Sequence, residues 1–252
     1  MIIIRKINSN YKINKLKVHI VKKEKENMKT IGMLVAVEIK AVLERYGDNL
    51  CEKEVAGYRV LEYQTPNYKL VIAKCGAGEI AAAGGTQFLI SEYKVDMIIN
   101  FGVVGGLTAE MVKTKTCVVE QVVHYDFDTS AVDNWEVGRY AEYPTVYLPA
   151  TKALVDKAIE INPELMPVIC ASGDKFIADP AKKAELNSQF GAKICEMEAA
   201  GIVLICNRNN VPCLLIKSVS DSIEGGAEEF RNTINEAAAM CLDIADEIIK
   251  SL

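Results

Sequence analysis

The chain has 252 residues, of which half are hydrophobic and a quarter charged, as in an ordinary globular protein with a sizeable core. The sequence has no apolar run that approaches the roughly 20 residues a membrane helix needs. The formal net charge is −5 for the whole chain and −11 for residues 28–252, and so acidic a body argues against nucleic acid or an anionic membrane as the main partner.

The first 27 residues differ in charge from the rest. They hold eight basic and two acidic residues, so the 29 basic and 34 acidic residues of the whole chain leave 21 and 32 for residues 28–252. Their apolar start, Met1 to Ile4, is too short for a secretory signal. We predict that residues 1–27 are a basic N-terminal extension outside the fold, with Met28 as the natural start. A nucleic-acid-binding arm is the alternative, although the segment has no arginine cluster.

Cysteine and histidine usage limits the cofactors. None of the eight cysteines forms a C-x-x-C pair and most lie in apolar runs, so we predict reduced thiols in a cytoplasmic protein. With only His19 and His124, a histidine-based metal site is not expected. We expect neither a metal nor an organic cofactor.

Short apolar runs alternate with segments of helical period along the chain. The predicted strands are Ile31–Val37, Tyr58–Tyr63, Leu70–Cys75, Asp96–Phe101, Cys117–Asp126, Val168–Ala171, Ile194–Met197 and Pro212–Val219. A short helix is predicted to begin near Glu38. The other predicted helices are Glu79–Tyr93, Thr151–Ile161, Asp179–Phe190, Glu198–Arg208 and Ala227–Ile249. This order indicates an α/β fold, a single domain with a central mixed, mostly parallel twisted sheet flanked by helices. Ligands bind such sheets at the carboxyl ends of the strands.

Two segments after predicted strands are rich in glycine. Cys75-Gly-Ala-Gly78 forms a strand-to-helix turn, and Asn100-Phe-Gly-Val-Val-Gly-Gly106 follows a buried strand. Glycines there let backbone amides approach a ligand, although a tight turn or a bend would also explain them. Ala77, Val103 and Gly105 are the candidate substrate-binding positions.

Two further segments carry carboxylates. In Cys195-Glu196-Met197-Glu198, an extended chain would point Glu196 and Glu198 the same way, where a carboxylate could bind a vicinal diol. A solvated helix start is the alternative. Ser220-Asp221 ends an apolar strand, so Asp221 could be a general acid if burial raises its pKa, or the N-cap of the next turn.

The order and spacing of six segments resemble the family of 5′-methylthioadenosine/S-adenosylhomocysteine nucleosidases and their purine and uridine phosphorylase relatives. The segments are Ile31-Gly-Met-Leu-Val-Ala-Val-Glu38, Gly76-Ala-Gly78, Asn100-Phe-Gly-Val-Val-Gly-Gly106, Ser172-Gly-Asp174-Lys-Phe176-Ile177, Glu196-Met-Glu198-Ala and Ser220-Asp221. The similarity runs over nearly all of residues 28–252. It implies a nucleoside phosphorylase-like catalytic domain that cleaves the N-glycosidic bond of a purine nucleoside.

The resemblance implies roles at the base. Asp221 would protonate N7 of the purine so that the base leaves neutral, and Ser220 would support Asp221. Phe176 would stack on the base, and the backbone of Ile177 would recognise the edge of the base. It further implies a small-molecule nucleoside as the ligand and a homodimer or higher homo-oligomer.

At the sugar, the resemblance implies that Glu198 binds the ribose hydroxyls and that Met197 packs beneath the ring. Two positions depart from the family. The nucleosidases keep a water-activating carboxylate just after the first strand, where this chain has Lys40, with Glu38 two residues earlier. They keep a serine in the glycine-rich segment, where this chain has Val103.

These departures leave three functions open. The leading hypothesis is hydrolysis of 5′-methylthioadenosine, S-adenosylhomocysteine or a similar purine nucleoside. Lys40 is either a solvated helix residue or lies in the pocket. In the pocket its ammonium favours an anionic co-substrate, so a phosphorylase that uses phosphate is the alternative. The third is a non-catalytic nucleoside-binding homologue that keeps Asp221 and Glu198.

Overall fold

One ten-stranded sheet organises the fold in a computed structural model that describes residues 28–252. The predictions made for residues 1–27 lie outside these described residues. The strands are β1 Lys29–Val35, β2 Cys51–Val55, β3 Tyr58–Gln64, β4 Tyr68–Lys74, β5 Met97–Gly106, β6 Thr116–His124, β7 Tyr147–Pro149, β8 Met166–Ser172, β9 Ile194–Glu196 and β10 Cys213–Asp221. The helices are α1 Ile39–Tyr46, α2 Glu79–Tyr93, α3 Ser130–Asp133, α4 Lys152–Ile161, α5 Pro180–Phe190, α6 Ala199–Asn209 and α7 Ala227–Ser251, and a short 3-10 turn covers Gly47–Asn49.

Five of these strands close into a ring. The strand order is β10-β6-β8-β9-β5-β1-β4-β3-β2, and β10 also pairs with β5, so β10, β6, β8, β9 and β5 form a closed circuit. The remaining strands extend from β5 as an open wing that ends in the β2–β3 hairpin. Because β5 belongs to both parts, its glycine-rich end lies at the junction of the ring and the wing.

The sheet is mixed, as predicted, but it is not mostly parallel. Among the strand pairs of residues 28–252, five ladders are parallel and five are antiparallel. The sequence pattern concealed this because strands of the closed ring are buried on both faces whatever their direction. Continuous apolar runs report two-sided burial, not strand polarity.

The predicted helix Glu79–Tyr93 is confirmed at both ends. The N-cap and N1 pair of α5 is also confirmed, since the Asp179 side chain accepts a hydrogen bond from the Ala181 amide at 3.0 Å and Pro180 is the first helical residue. Short or exposed elements were missed, namely β2, β7 and α3. The exposed strand β2 has no apolar alternation to reveal it.

The glycine-rich segment is not a loop. Gly102 to Gly106 continue β5, where Gly105 pairs with Cys195 of β9 and with Asp221 of β10. A Cβ atom at Gly106 would lie 2.4 Å from the carbonyl oxygen of Met111, so only glycine fits that close approach. Here glycine permits tight strand packing and does not end the strand.

Buried thiols contribute to the core. Cys117, Cys170, Cys195, Cys206, Cys213 and Cys241 are buried, whereas Cys51 is exposed and Cys75 is half-buried. None of the eight forms a disulfide. No helix in the described part of the chain is long and apolar enough to cross a membrane.

Candidate active site

An open cavity of about 630 Å³ lies at the carboxyl ends of the parallel strands. Of the eleven predicted site residues, ten line it: Ala77, Val103, Gly105, Phe176, Ile177, Glu196, Met197, Glu198, Ser220 and Asp221. Lys40 does not. Residues outside these eleven also line it, among them Glu38, Cys195 and Phe230.

Asp221 marks one end of the cavity. It is the last residue of β10, after a β-bulge that shifts the register between Val219 and Asp221. Its side chain is almost wholly buried, with Oδ1 2.9 Å from the Ser220 hydroxyl and Oδ2 2.7 Å from the Lys183 ammonium. Burial raises the pKa of Asp221, and the Lys183 ammonium opposes that rise. A buried carboxyl with a raised pKa suits a proton donor.

Glu198 lies at the start of α6 and lines the same cavity. Its Oε1 accepts a hydrogen bond from the Gly78 amide at 2.9 Å. Gly78 has φ +102°, a backbone conformation that favours glycine, and this aims its amide at the carboxylate. Burial, reinforced by the negative charge of Glu196, raises the pKa of Glu198 to about 7. The second oxygen is free to accept hydrogen bonds from a ligand.

Glu196 does not point the same way as Glu198, which corrects the prediction. Its carboxylate accepts hydrogen bonds from the Lys217 ammonium at 3.1 Å, the Ser172 hydroxyl at 2.5 Å and the Ala199 amide at 3.0 Å. Burial alone would raise its pKa, but these partners together hold it below the ordinary value. The strand ends at Glu196, so the alternation of an extended chain does not reach Glu198.

Glu79, which the sequence analysis overlooked, is a second buried carboxyl, and it shares the Ser172 hydroxyl with Glu196. Its Oε1 contacts the Ser172 hydroxyl, and its Oε2 accepts a hydrogen bond from the Gly201 amide at 2.5 Å. Ser172 has one hydroxyl proton but two carboxyl neighbours, Glu79 and Glu196. Glu79 must therefore carry a proton of its own for both contacts to be hydrogen bonds. In agreement, burial and the charge of Glu196 raise the pKa of Glu79 to about 8.

We expect Glu79→Gln to stabilise the protein at pH 8 by about 2–4 kcal/mol, because the pKa rises from an unfolded value of 4.5 to about 8 on folding. The free energy of unfolding of the wild type therefore falls as pH rises from about 4.5 to about 8. In this range the Glu79 carboxyl ionises in the unfolded chain but stays protonated in the folded one. Glutamine can donate to Ser172 and accept from Gly201 at every pH.

Thermal unfolding of the two proteins from pH 4 to pH 9 tests this expectation. The curves should converge near pH 4 and separate above it. Glu92→Gln, an exposed change on the same helix, is the control and should track the wild type. A difference between Glu79→Gln and wild type that does not change with pH would contradict the proton assignment.

The segment after β1 brings Glu38, not Lys40, into the cavity. Glu38 Oε1 accepts a hydrogen bond from the Val103 amide and Oε2 from the Val37 amide, both at 3.0 Å. Lys40 is 64 % exposed and pairs with Glu44 on the outside of α1 at 3.7 Å. The prediction that Lys40 occupies the pocket is therefore wrong.

Helix geometry explains this correction. Because α1 begins at Ile39, residues 38 and 40 lie about 200° apart around its axis and point to opposite sides. A buried cation does lie close to Glu38, but it is Lys217: its ammonium would lie 3.6 Å from a Cβ built on Gly102, and Glu38 Oε1 would lie 3.1 Å from the same atom. A lone lysine in the apolar run of β10 was the signal that could have revealed it.

Phe176 and Phe230 lie at the mouth of the cavity. Their rings meet edge to face with centroids 5.4 Å apart, and Phe176 is 46 % exposed. An aromatic ring left partly exposed beside a cavity offers a flat ligand a stacking surface. Within residues 28–252, no group of three or more His, Cys, Asp or Glu side chains is arranged to hold a metal ion.

Comparisons with known proteins agree with this geometry. The family profile described as the phosphorylase superfamily matches residues 30–250. The 5′-methylthioadenosine/S-adenosylhomocysteine nucleosidase of Shewanella piezotolerans is 30% identical over 229 residues, which is 88% of this chain and 99% of that protein. The chain therefore belongs to the phosphorylase superfamily, and the family predicted from its motifs is confirmed.

Solved structures give the same result. The Helicobacter pylori 5′-methylthioadenosine/S-adenosylhomocysteine nucleosidase in complex with an inhibitor has a TM-score of 0.85 and 26% identity, covering 90% of this chain and all of that one. Futalosine hydrolase from the same organism has a TM-score of 0.84 and 26% identity, over 89% of this chain and 99% of that one. The first neighbour is named as a nucleosidase and the second as a hydrolase.

Proposed function

We propose that the protein hydrolyses the N-glycosidic bond of 5′-methylthioadenosine, S-adenosylhomocysteine or a purine nucleoside with a similar 5′ substituent. One observation carries this proposal: carboxylates from three different segments, Glu38, Glu198 and Asp221, line one cavity. Hydrolysis of this bond needs a proton for the leaving base, a group that binds the sugar and an activated water. Each carboxylate suits one of these tasks, and the names of the relatives agree with the reaction.

Asp221 acts on the leaving group. As the bond between C1′ and N9 breaks, its electron pair passes to the purine, and Asp221 gives its proton to N7 so that the base leaves neutral. The sugar then carries a developing positive charge. The nearby carboxylate of Glu198 stabilises that charge while it binds the 2′ and 3′ hydroxyls.

Glu38 acts on the water. A water between Glu38 and C1′ loses one proton to the carboxylate as its oxygen bonds to C1′, which gives the free sugar. Hydrogen bonds from the Val37 and Val103 amides fix the carboxylate in place. The hydroxyl that Val103 lacks is not needed for this step, because residue 103 contributes its backbone amide.

Hydrolysis is favoured over phosphorolysis by the charges around the cavity. The Lys217 ammonium is already paired with Glu196 at 3.1 Å and lies beneath Glu38 and Glu198. A phosphate dianion bound at C1′ would lie against the Glu38 carboxylate, which costs energy in a site of low dielectric. Lys40 is too far outside to offset that repulsion.

A substrate panel tests the proposal. The full chain is incubated with 5′-methylthioadenosine, S-adenosylhomocysteine, futalosine, adenosine, inosine and uridine, with and without phosphate, and the released base and sugar are quantified. We expect free base and unphosphorylated sugar in phosphate-free buffer. Sugar 1-phosphate would instead establish a phosphorylase, and tight binding without base release would establish a nucleoside-binding protein.

We expect Glu198→Gln to weaken riboside binding about 10–100-fold, because a charged hydrogen bond to the diol is lost. The affinity for 2′,3′-dideoxy analogues should change little. Calorimetric titration of both ligand types measures this difference, with Glu236→Gln on the exposed face of α7 as the control. Equal losses for ribosides and dideoxy analogues would remove the diol assignment.

We also propose that the chain works as a homodimer or higher homo-oligomer, as the family resemblance implies, and that it is cytoplasmic. Eight unpaired thiols suit a reducing compartment.

A further inference from the structure

Lys183 is a buried cation that the reaction steps above do not use. It lies on the inner face of α5, and its side chain is 0 % exposed. The ammonium donates hydrogen bonds to Asp221 Oδ2 at 2.7 Å, to the Ser222 carbonyl at 2.6 Å and to the Gly225 carbonyl at 3.0 Å. These partners use all three of its donors. One side chain thus fixes both Asp221 and the turn that leads into α7.

Helix packing does not require a cation at this position. A buried ion pair can often be replaced by apolar side chains without loss of stability, so the ammonium is not explained by folding energy. The neighbouring Lys182 faces outward and pairs with Glu185 at 2.6 Å. Within residues 28–252, the carboxylate paired with Lys183 is Asp221, the proposed general acid.

We propose that Lys183 is a positioning residue for the general acid, an inference that rests on the proposed function. Because the ammonium holds Oδ2, a proton on Asp221 is favoured on Oδ1, the oxygen beside Ser220. The Ser220 hydroxyl lies 2.9 Å from Oδ1 and 3.2 Å from the Val104 carbonyl, but it has one proton to donate. It can serve either partner, depending on the charge of Asp221.

These contacts allow a balanced proton transfer. Before cleavage, Ser220 donates to the Val104 carbonyl and Oδ1 carries the proton toward the purine. During cleavage the proton passes from Oδ1 to N7, and the electron pair of the O–H bond stays on the carboxylate. Ser220 then turns its hydroxyl to Oδ1 while Lys183 holds Oδ2. Both oxygens of the new carboxylate are therefore stabilised.

The charges around Asp221 set the pH at which it can act. Lys183 from α5, Cys195 from β9 and Glu229 from α7 face it, with Ser220 beside it on β10. Burial raises the pKa of Asp221, Lys183 lowers it and Glu229 raises it. A general acid is active when protonated, so activity falls as pH rises through its pKa. This fall in activity is the basic limb of the pH profile. Removing the Lys183 ammonium should move that limb to higher pH by about 1–3 units.

Lys183→Met tests the inference through the pH profile of kcat/KM. We expect kcat at neutral pH to fall about 10–100-fold, with the basic limb moved to higher pH. Lys183→Arg keeps the charge and should keep the limb close to that of the wild type. Lys182→Met, an apolar change at the next residue, should leave kcat and the limb unchanged. If Lys183→Met melts too low to assay, Lys183→Gln keeps a donor without the charge.

A double variant shows whether the effect runs through Asp221. In an Asp221→Asn background, Lys183→Met should cause no further loss of turnover. An additive loss, or lower activity with an unmoved limb, would reduce Lys183 to a structural role and overturn the inference. If Asp221→Asn alone keeps normal turnover, the general acid of the proposed function fails. If Asp221→Asn is slow but Lys183→Met keeps the wild-type pH profile, only the role proposed for Lys183 is refuted.

Discussion

Replacing Asp221 with asparagine should lower kcat by about 10²–10⁴-fold, because the purine then has no proton donor as it leaves. Asparagine has nearly the shape of aspartic acid, and its amide can still contact Ser220. Nucleoside binding should therefore change little. Single-turnover measurement of base release, with ligand affinity from calorimetry, separates the two effects.

Asp156→Asn provides the matched control. Asp156 is exposed on α4, where it pairs with Lys152 at 2.7 Å, and its loss should leave turnover unchanged. Near-normal turnover of well-folded Asp221→Asn would remove Asp221 from the chemistry. The reaction would then depend on another group in the cavity.

The second large effect is expected at Glu38. Glu38→Gln should lower kcat for hydrolysis by about 10²–10⁴-fold, because the variant lacks the carboxylate proposed to accept the proton of the attacking water. The loss should appear in the chemical step at saturating substrate. Pre-steady-state base release in phosphate-free buffer measures it.

Lys40→Gln distinguishes the two candidates for this step. Its exposed ammonium lies outside the cavity, so this variant should hydrolyse nucleosides at the wild-type rate. Strong loss in Lys40→Gln with little loss in Glu38→Gln would reverse the assignment. A gain in rate on adding phosphate to the wild type would favour the phosphorylase alternative.

Much of the fold was predictable from local pattern. The helix α2 was predicted with the correct ends, because the Gly76-Ala77-Gly78 turn precedes a continuous helical segment; in the structure, a left-handed Lys94 follows its last residue. Strand direction was not predictable, because strands buried on both faces have the same apolar pattern in either orientation. The strand assignment also failed at Gly102 to Gly106, where glycine reflects close contact with β9 and Met111.

Site residues that directly follow a strand could be predicted from the sequence. The assignment after β1 was wrong, because a helix begins there. Glu38 and Lys40 differ by two residues, and the start of α1 decides which of them enters the cavity. Lys182 and Lys183 look equivalent in sequence, yet tertiary packing buries only the second. Glu79 resembled a helix-start acid, and only the Ser172 contact reveals its proton.

The buried thiols affect how this protein leaves its native state. Burial raises the pKa of the Cys117 and Cys195 thiols to about 12, so the folded chain holds little of their reactive thiolate. Unfolding of the domain exposes all six buried sulfurs to solvent. In air, dissolved oxygen can oxidise these exposed thiols to disulfides between different chains, and chains linked in this way cannot refold. Thermal unfolding then becomes irreversible because the chains are covalently linked. The melting temperatures of variants are therefore comparable only when a reductant keeps the unfolded chains separate.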